Sequence, residues 1–522
     1  MADHFSGGDL PSATSVGVAR LGDPRARHHT DQPSVVDIDG GDDDLTGLRP
    51  LLRARCVALA RRYLVPGAQF VIARGGARVA VEVGEVEHRG GQPTTAATAF
   101  PIGSITKSLT AALAMVLVAD GDLELDAPVG EYLPVLAAVG DRAGDGVGDE
   151  VTLRHLLSHT AGLQCGPDSA EVATASTRRY LADHCRRRDL VLPPGTGFSY
   201  SNAGYVVVGA AIEAVTGMPW PEAIDTLVLR PLALNPPPIM SYGAGGSADH
   251  DPRFMIGEGR GRGETATGHS VRLGAGRTRA VRQALAPVEA PIGALELSAM
   301  DLATFGRAVG DPACTTLLPA SWSELMRRPV PGAEPFGLAE GWGLGLATYR
   351  DGGRDWVGHD GNGHGTACYL RVDPDSGWVV AFVSNANTGA LMWQDLCDQL
   401  RSLGIPAGAD IGGTDGGERV AGHPAMPAPR AYAGRYANGG VEFLVSVRDG
   451  RAQLCVDDEP PVSMTFRDPL VFWVPDPQTR RQVPGGRFLR EPGTDQPYAL
   501  QIGGRVARRT RVAREIHSPL SA

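Results

Sequence analysis

The stretch FPIGSITKSLTAALAMVLVADG, residues 100–121, contains the only lysine of the chain, Lys107, three residues after Ser104. All the other basic residues among the 49 lysines and arginines are arginine. The apolar run from Leu109 to Ala119 predicts a buried helix, and Gly103 and Ser104 stand where that helix would begin. Because residues three apart lie on one face of a helix, we expect Lys107 to lie beside Ser104.

Lysine has a chemical property that the many arginines of this chain lack. A lysine amine loses its proton when it is desolvated or placed near positive charge, whereas an arginine stays charged. A chain that otherwise uses arginine is therefore expected to keep lysine where a proton must be transferred. A lone surface lysine is the simpler explanation, but the apolar helix around Lys107 disfavours it. Ser104 would also lie near the positive end of the helix dipole, which favours developing negative charge.

The composition is that of an ordinary globular protein and excludes several functions. The chain has 522 residues, 42% of them hydrophobic and 21% charged, enough for a large domain and a smaller one. A net charge of −10 gives no general basic footprint for nucleic acid. The seven cysteines are scattered and form no CxxC pair, which argues against a disulfide framework or a zinc site and fits a reducing compartment.

No targeting or membrane segment is visible in the sequence. The N-terminal MADHFSGGDLPSATSVGVARLGD has no apolar core of signal-peptide length. No uninterrupted apolar stretch reaches the ~18 residues that a membrane helix requires. We therefore expect a cytoplasmic protein with no membrane partner.

Composition shifts divide the chain into four parts. Residues 1–45 are polar and Gly-rich, end near the acidic run DIDGGDDD, and are predicted to be a disordered leader. Residues 46–404 form the main domain, residues 405–428 a linker, and residues 429–515 a small β-barrel of short alternating strands. The basic RVARRTRVAR near the C-terminus is interpreted as a solvated strand edge or a tail.

The main domain is predicted to be an α/β sandwich with a helical insertion. A helix precedes Pro66, a hairpin turns at Gly75–Gly76, and the region 150–235 is mainly helical. Residues 240–285 are Gly- and Arg-rich and are interpreted as a long connection. A helix that begins at Ser298, three strands between 341 and 385 and a closing helix follow. The early hairpin and the late strands would form one sheet.

Two further motifs complete a chemical set with Ser104 and Lys107. FSYSN provides Tyr200 and Asn202, and GHDGNGHG provides His359 and Gly361 just before a strand. Each motif alone is weak, because a lone tyrosine is usually half-buried packing and a lone His-x-Gly is usually a loop. In this order and spacing, together with Ser-x-x-Lys, the set is specific.

The chain resembles the serine β-lactamase and penicillin-binding-protein superfamily, in the branch that includes class C β-lactamases, related esterases and D-amino-acid peptidases. VPGAQFVI, GDLELDAPVGEYLP, TLRHLLSHTAGL and TATGH add to the resemblance, which covers roughly residues 50–405. It implies a β-lactamase/transpeptidase-like fold, with an antiparallel sheet flanked by helices and a helical subdomain. It implies no cofactor and no metal.

The resemblance also implies a mechanism. Ser104 would attack an acyl carbonyl and form an acyl-enzyme, after neutral Lys107 or ionised Tyr200 takes its proton. The backbone N–H groups of Ser104 and Asn362 would form the oxyanion hole. Asn202 would orient Lys107 and the acyl amide, and His359, followed by Gly361, would place a polar contact opposite Tyr200.

A metal site is the rival interpretation of one local pattern. His155 and His159 are four residues apart, as zinc ligands on a helix can be. No glutamate lies between them as in HExxH, and the family has similar residues in a structural loop. We therefore predict no bound metal.

The nucleophile that releases the acyl group decides the function. Water would make the protein an esterase, a β-lactamase or a carboxypeptidase, whereas an amine would make it a transacylase or a peptide cyclase. AEPFGLAEGWGLGL, GHDGNGHGTACYLRVDP and GRYANGGVEFLV resemble stand-alone penicillin-binding-protein-type thioesterases, which release peptidyl chains from carrier-protein thioesters, often by cyclisation. That resemblance implies a lipocalin-like C-terminal barrel, which would cover the site, bind a carrier protein or only stabilise the fold.

We therefore predict a serine acyltransferase of antibiotic biosynthesis, with a small-molecule or peptidyl acyl donor, an amine acceptor and in some cases a carrier protein as partners. The alternative is an esterase, or a β-lactam or D-amino-acid peptide hydrolase, that uses the same Ser-Lys-Tyr chemistry. A non-catalytic binding protein is disfavoured because the set of motif residues is intact.

Overall fold

The computed structural model describes residues 45–137, 146–234, 264–281, 283, 285–408, 429–457, 459–491, 493–494 and 496–512. The predicted disordered leader therefore lies outside the described residues, apart from Leu45. Of the predicted linker only residues 405–408 are described, and of the predicted 240–285 connection the part before residue 264 lies outside.

Helices lie mainly in the first three quarters of the described chain. They are α1 (Arg49–Arg62), α2 (Ile105–Asp120), α3 (Pro134–Ala137), α4 (Leu153–Leu157), α5 (Thr177–His184), α6 (Asn202–Thr216), α7 (Trp220–Ile224), α8 (Ala290–Gly293), α9 (Ala299–Gly310), α10 (Ala320–Arg327) and α11 (Gly389–Ser402). The helices predicted before Pro66, after Ser104 and after Ser298, and the closing helix, are confirmed as α1, α2, α9 and α11.

Strands lie at both ends of the main domain and throughout the C-terminal region. In the main domain they are β1 (Gly67–Arg74), β2 (Ala77–Gly84), β3 (Phe100–Pro101), β4 (Gly268–Arg272), β5 (Arg277–Val281), β6 (Glu296–Leu297), β7 (Gly341–Trp342), β8 (Ala347–Asp351), β9 (Arg354–Gly363), β10 (Thr366–Val372) and β11 (Trp378–Ser384). In the C-terminal region they are β12 (Gly434–Asn438), β13 (Val441–Arg448), β14 (Arg451–Val456), β15 (Val462–Phe466), β16 (Val471–Pro475), β17 (Gln482–Arg490), β18 (Pro497–Ile502) and β19 (Arg505–Val512).

One antiparallel sheet joins the early hairpin to the late strands, as the sequence predicts, although five strands, β7 to β11, lie where three were predicted. Its order is β2-β1-β11-β10-β9-β8-β7, so β11 pairs with β1 although more than 300 residues separate them. The pairing is fixed by side chains that alternate between two cores: Val379 faces the core that contains α2, and Val380 faces the core against α1 and α11. Apolar side chains on both faces explain why β11 is an unbroken apolar run.

Helix α2 runs through the centre of the larger core. Nearly every side chain from Ile105 to Val118 is buried, and the helix ends at Gly121, which has φ 86° and provides the left-handed C-cap that other residues adopt with difficulty. The helix begins at Ser104, whose side chain makes no capping hydrogen bond. The Ser104 hydroxyl is therefore available for other contacts.

The prediction of a long connection over residues 240–285 is wrong for those of its residues that the structure describes. Strands β4 and β5 form a separate two-stranded hairpin there, and His269 N of β4 donates a hydrogen bond to Gly365 O, between β9 and β10. Glycine and arginine weaken the alternation of apolar and polar residues that is typical of a strand, so the sequence pattern predicted a loop. The hairpin lies beside the turn that follows the third motif.

The C-terminal region is a closed eight-stranded barrel in the sequential order β12 to β19. Aromatic and aliphatic side chains fill its interior, and Tyr432 stacks on Phe488 with ring centres 4.1 Å apart. The fold predicted from the resemblance is confirmed: a β-lactamase-like sheet with helices, followed by an all-β barrel with the strand number of lipocalins.

The barrel packs against the main domain through backbone hydrogen bonds at the β18–β19 turn. Tyr200 N donates to Gly504 O at 2.9 Å, and Gly504 N donates to Phe336 O at 3.1 Å. Gly504 has φ 71°, and a Cβ there would lie 2.4 Å from Leu338 Cδ1, so the close approach needs glycine. On the same face of the barrel, Asn438 Oδ1 accepts a 2.7 Å bond from Cys165 N.

Candidate active site

Ser104 and Lys107 lie side by side at the start of α2. Lys107 Nζ is 3.1 Å from Ser104 Oγ and donates a hydrogen bond to Ile292 O of α8 at 3.0 Å. Gly103 has φ 52°, which places the chain in the left-handed region just before the helix. The predicted proximity of the serine and the lysine is confirmed, although Lys107 is held by a backbone carbonyl of α8, whereas we expected Asn202 to orient it.

Lys107 is buried in a way that disfavours its charged form. The residue is 1% exposed. Burial, and after it the positive charge of Arg505, lower the pKa of Lys107 from 10.5 to about 7, although Cys165 and Glu289 act in the opposite direction. A large fraction of Lys107 is therefore neutral at pH 7, with a lone pair available to accept the proton of Ser104.

Tyr200 and Asn202 lie at the start of α6. Ser201 caps that helix by accepting a hydrogen bond from Gly204 N, so Asn202 is its first residue. Tyr200 Oη and Asn202 Oδ1 are both buried and make no hydrogen bond. Burial raises the pKa of Tyr200, and the nearby Ser104 hydroxyl and Arg505 offset only part of that rise. Of the two bases left open by the sequence, the geometry and electrostatics favour neutral Lys107.

His359 lies in the middle of strand β9, four residues before its last residue, Gly363. The motif HDGNG therefore lies within a strand, whereas we expected it just before one; the next strand, β10, begins three residues after Gly363. His359 Nδ1 donates to Asp360 O at 2.6 Å, which leaves Nε2 as a buried acceptor without a partner. Burial, then the charge of Lys107, lowers the pKa of His359 to about 3, so the imidazole is neutral at pH 7. The rings of His359 and Tyr200 lie 6.3 Å apart.

The end of β9 lies directly against the turn that begins α2. A Cβ on Gly361 would lie 1.9 Å from Ile102 O, and a Cβ on Gly103 would lie 2.5 Å from Asn362 O and 3.1 Å from Asn362 N. Both glycines are therefore required for this approach. The arrangement brings the backbone of Asn362 next to that of Ser104, the two positions assigned to the oxyanion hole.

An aromatic cluster that the sequence did not indicate supports these side chains. Trp342 of β7 is buried and lies 5.1 Å from His359 and 5.8 Å from Tyr200, measured between ring centres. His159 lies 4.2 Å from Tyr200 and accepts a hydrogen bond from Ser201 N on Nδ1. The cluster holds Tyr200 and His359 in an apolar setting, which strengthens electrostatic interactions at the site.

The two histidines considered as metal ligands have separate structural contacts. His155 Nδ1 accepts a hydrogen bond from Thr152 N in the capping box of α4, whereas His159 belongs to the aromatic cluster. Within the described ranges, no group of three or more His, Cys, Asp or Glu residues is arranged to hold a metal ion.

Arg505 is a site residue that the sequence analysis missed. Its guanidinium carbon lies 5.3 Å from the centre of the Tyr200 ring, and Lys107 Nζ lies 5.2 Å from the same centre. The basic C-terminal stretch was interpreted as a solvated edge, and for this arginine that prediction is wrong. The IGGR turn provides only a weak signal, two glycines before an arginine, that this segment approaches another backbone closely.

Comparisons with known proteins identify the family. A family model described as Beta-lactamase matches residues 52–396. Penicillin-binding protein 4 of Amycolatopsis lactamdurans is 32% identical over 382 residues, which is 71% of this chain and 92% of that protein. The chain belongs to the β-lactamase family. Members of this family are serine hydrolases, and the Ser-x-x-Lys pair lies within the matched residues.

Two other similar proteins show how far the likeness extends. Esterase EstB of Burkholderia gladioli is 36% identical over 193 residues, or 34% of this chain and 47% of that protein. The crystal structure of SurE superposes with a TM-score of 0.74 at 34% identity and covers 89% of this chain and 99% of SurE; a structure of SurE with D-Leu gives 0.72. The likeness to SurE therefore extends well beyond the 345 residues that the family model spans.

Two further features of the described structure bear on its surroundings. Among the described residues, no helix has the length and apolar character needed to cross a membrane. A groove of about 580 Å³ lies between α3, α5 and α6, and its lining includes none of the motif residues. The candidate active site is therefore separate from that groove.

Proposed function

We propose that this protein is a serine acyltransferase of secondary metabolism, which forms an amide through an acyl-enzyme on Ser104. Lys107 takes the proton of Ser104, the hydroxyl oxygen attacks the acyl carbonyl, and protonated Lys107 gives the proton to the departing thiol or alcohol. An amine then attacks the acyl-enzyme, and its proton passes through Lys107 to Ser104 Oγ, which leaves as the free hydroxyl. The backbone N–H groups of Ser104 and Asn362 stabilise the oxyanion in both steps.

The electrostatic environment of Lys107 is the main support for an amine, and not water, as the acyl acceptor. The burial and positive charge that bring the lysine amine to a pKa of about 7 act on any amine that enters the same space. Only a neutral amine is a nucleophile, and an aliphatic amine in water is mostly protonated at pH 7. A desolvated, positively charged site therefore favours aminolysis of the acyl-enzyme.

The unpartnered acceptors of the site support a substrate rich in N–H groups. Asn202 Oδ1 and His359 Nε2 are buried without hydrogen-bond partners, and each such atom costs about 1–3 kcal/mol unless a ligand pairs with it. An acyl group with an amide N–H, such as a peptidyl chain, and an amine acceptor both supply donors. SurE, which resembles this chain over most of its length, has been crystallised with a D-amino acid, which supports a peptidyl acyl donor.

The donor is proposed to be an ester or a carrier-protein thioester, as in transacylases or peptide cyclases of antibiotic biosynthesis. No disulfide joins any of the seven cysteines, all of which lie in the described residues, and Cys165 lies near the site. Cysteines without disulfides fit the proposed location in a reducing compartment such as the cytoplasm.

Product partition tests the proposal. Peptidyl thioesters and methyl esters, each with a free N-terminal amine, are incubated with the protein, and the products are separated into cyclic amide and linear acid by mass spectrometry. Matched donors with an acetylated N-terminus cannot cyclise and measure hydrolysis alone. We expect amide to form faster than acid, also with millimolar external amines. Acid as the sole product across the panel would contradict the proposal.

The hydrolase alternative is favoured by the partial likeness to EstB, an esterase. It predicts that the acyl-enzyme turns over to acid at the same rate with and without amine. Ser104→Ala serves as the control for both functions, because it removes the attacking oxygen and is expected to abolish either product.

A further inference from the structure

Arg505 is held in the site by the residues on both sides of it. Gly504 accepts a hydrogen bond from Tyr200 N and donates one to Phe336 O, and Val506 N donates to Ser199 Oγ at 3.2 Å. Arg505 is therefore fixed at the first residue of β19, between two anchored neighbours. A barrel strand thus places one side chain in a site that belongs otherwise to the main domain.

The guanidinium of Arg505 and the amine of Lys107 share one neighbour, the ring of Tyr200. They lie 5.3 Å and 5.2 Å from the ring centre, so their separation is at most the sum of those two distances. Arg505 Nε is buried without a hydrogen-bond partner, and the thiol of Cys165 lies beside the guanidinium. Because Lys107 and Arg505 Nε are both buried, the charge of Arg505 is screened less at Lys107 than it would be in water.

The two histidines and the tyrosine that face Lys107 are uncharged at pH 7. His359 and His159 have pKa values far below their ordinary range through burial, and burial keeps Tyr200 protonated. Glu289 of the turn before α8 and Cys165 of the loop before α5 favour the charged lysine, but burial also raises the pKa of Glu289, whose carboxylate accepts a hydrogen bond from Ser169 Oγ. Arg505 is a permanent charge that opposes them.

We propose that Arg505 is a positioning residue through which the C-terminal barrel favours the neutral form of Lys107 by placing a permanent positive charge beside it. The barrel would then contribute a residue to the active site in addition to stabilising the fold. The inference rests on the proposed role of Lys107 as the base. It also predicts that an acceptor amine in the same space is kept neutral by the same charge.

A single lysine makes the proposal directly measurable. The protein is expressed with a tag that lacks lysine and with 13C at the Cε of lysine. Its NMR spectrum then has one lysine resonance, which reports the protonation of Lys107 without further assignment. We expect a midpoint of about 7 in the wild type. At the largest separation that the two ring distances allow, an effective dielectric constant of about 20 means that removal of Arg505 raises the pKa of Lys107 by at least about one unit. Arg505→Gln should therefore raise the midpoint by that amount.

Matched variants separate the charge of Arg505 from its packing. Arg505→Met keeps the apolar stem and removes the charge, so it should shift the midpoint as Arg505→Gln does, and it replaces that variant if Arg505→Gln fails to fold. Arg487→Gln removes another barrel arginine, one that pairs with Glu334 of the main domain, and should leave the midpoint unchanged. A midpoint within about a third of a pH unit of wild type in both Arg505 variants would overturn the proposal.

An activity readout separates this inference from the proposed function. The pH dependence of acylation by a chromogenic ester should move to higher pH in Arg505→Gln and return towards wild type in Arg505→Lys. Loss of acylation at every pH, without a change in the lysine titration, would indicate a contact with substrate and contradict the positioning role. A wild type that never acylates would refute the proposed function, while the titration would still decide the role of Arg505.

Discussion

Replacement of Lys107 by arginine keeps the charge and removes the proton acceptor. In the wild type about half of the Lys107 side chains are neutral at pH 7, because the pKa is about 7. An arginine, with a pKa above about 12, leaves fewer than about one molecule in 10⁵ neutral. General base catalysis contributes about 10²- to 10⁴-fold, so acylation of Ser104 in Lys107→Arg should fall by at least about 100-fold. The loss should persist from pH 6 to pH 9.

The assay is the single-turnover rate of leaving-group release from a chromogenic thioester, with enzyme in excess over substrate. Lys107→Met is the matched variant, since it removes both charge and base at similar volume. If Lys107 acts as a base, both variants lose activity to a similar extent. Retention of acylation within about tenfold of wild type by Lys107→Arg would refute this assignment and return Tyr200 as the base.

Two further predictions follow from burial and close packing. The folded-state pKa of Lys107 lies below its unfolded value of 10.5, so the free energy of unfolding of the wild type should rise as pH increases from about 7 to 10.5. Lys107→Met should therefore stabilise the fold most below pH 7, by up to about 5 kcal/mol. Urea unfolding at pH 6 and pH 9 measures this gain, and an equal gain at both pH values would contradict the prediction. Gly361→Ala places a Cβ 1.9 Å from Ile102 O, which should displace the oxyanion hole and slow acylation about 10²- to 10³-fold. Gly274→Ala is the control: a Cβ there meets no atom within 4 Å, so acylation should keep its wild-type rate.

The local part of the site could be predicted from the sequence because it depends on one helix. Ser104 and Lys107 are three residues apart at the start of an apolar run, and the helical period alone places them together. Tyr200, Asn202 and His359 are far from them in the chain. Their assembly was implied by the family resemblance, since no local pattern fixes which strand end meets which helix.

The contribution of the barrel was not visible in the sequence. Arg505 lies about 400 residues from Ser104 in an arginine-rich strand, and alternation in such a strand predicts only which residues face outward. Whether an outward face meets water or another domain depends on docking, which here is decided by backbone hydrogen bonds at Gly504. Trp342 was missed for a related reason, because β7 has only two residues and shows no period.

The central claim is that Ser104 forms an acyl-enzyme that an amine resolves. The most direct measurement is the intact mass of the protein after brief incubation with a peptidyl thioester, followed by peptide mapping and an amine chase. The account predicts one acyl adduct, on the peptide that contains Ser104, absent in Ser104→Ala and converted to amide by the chase. An adduct on another residue, or one that survives in Ser104→Ala, would contradict it.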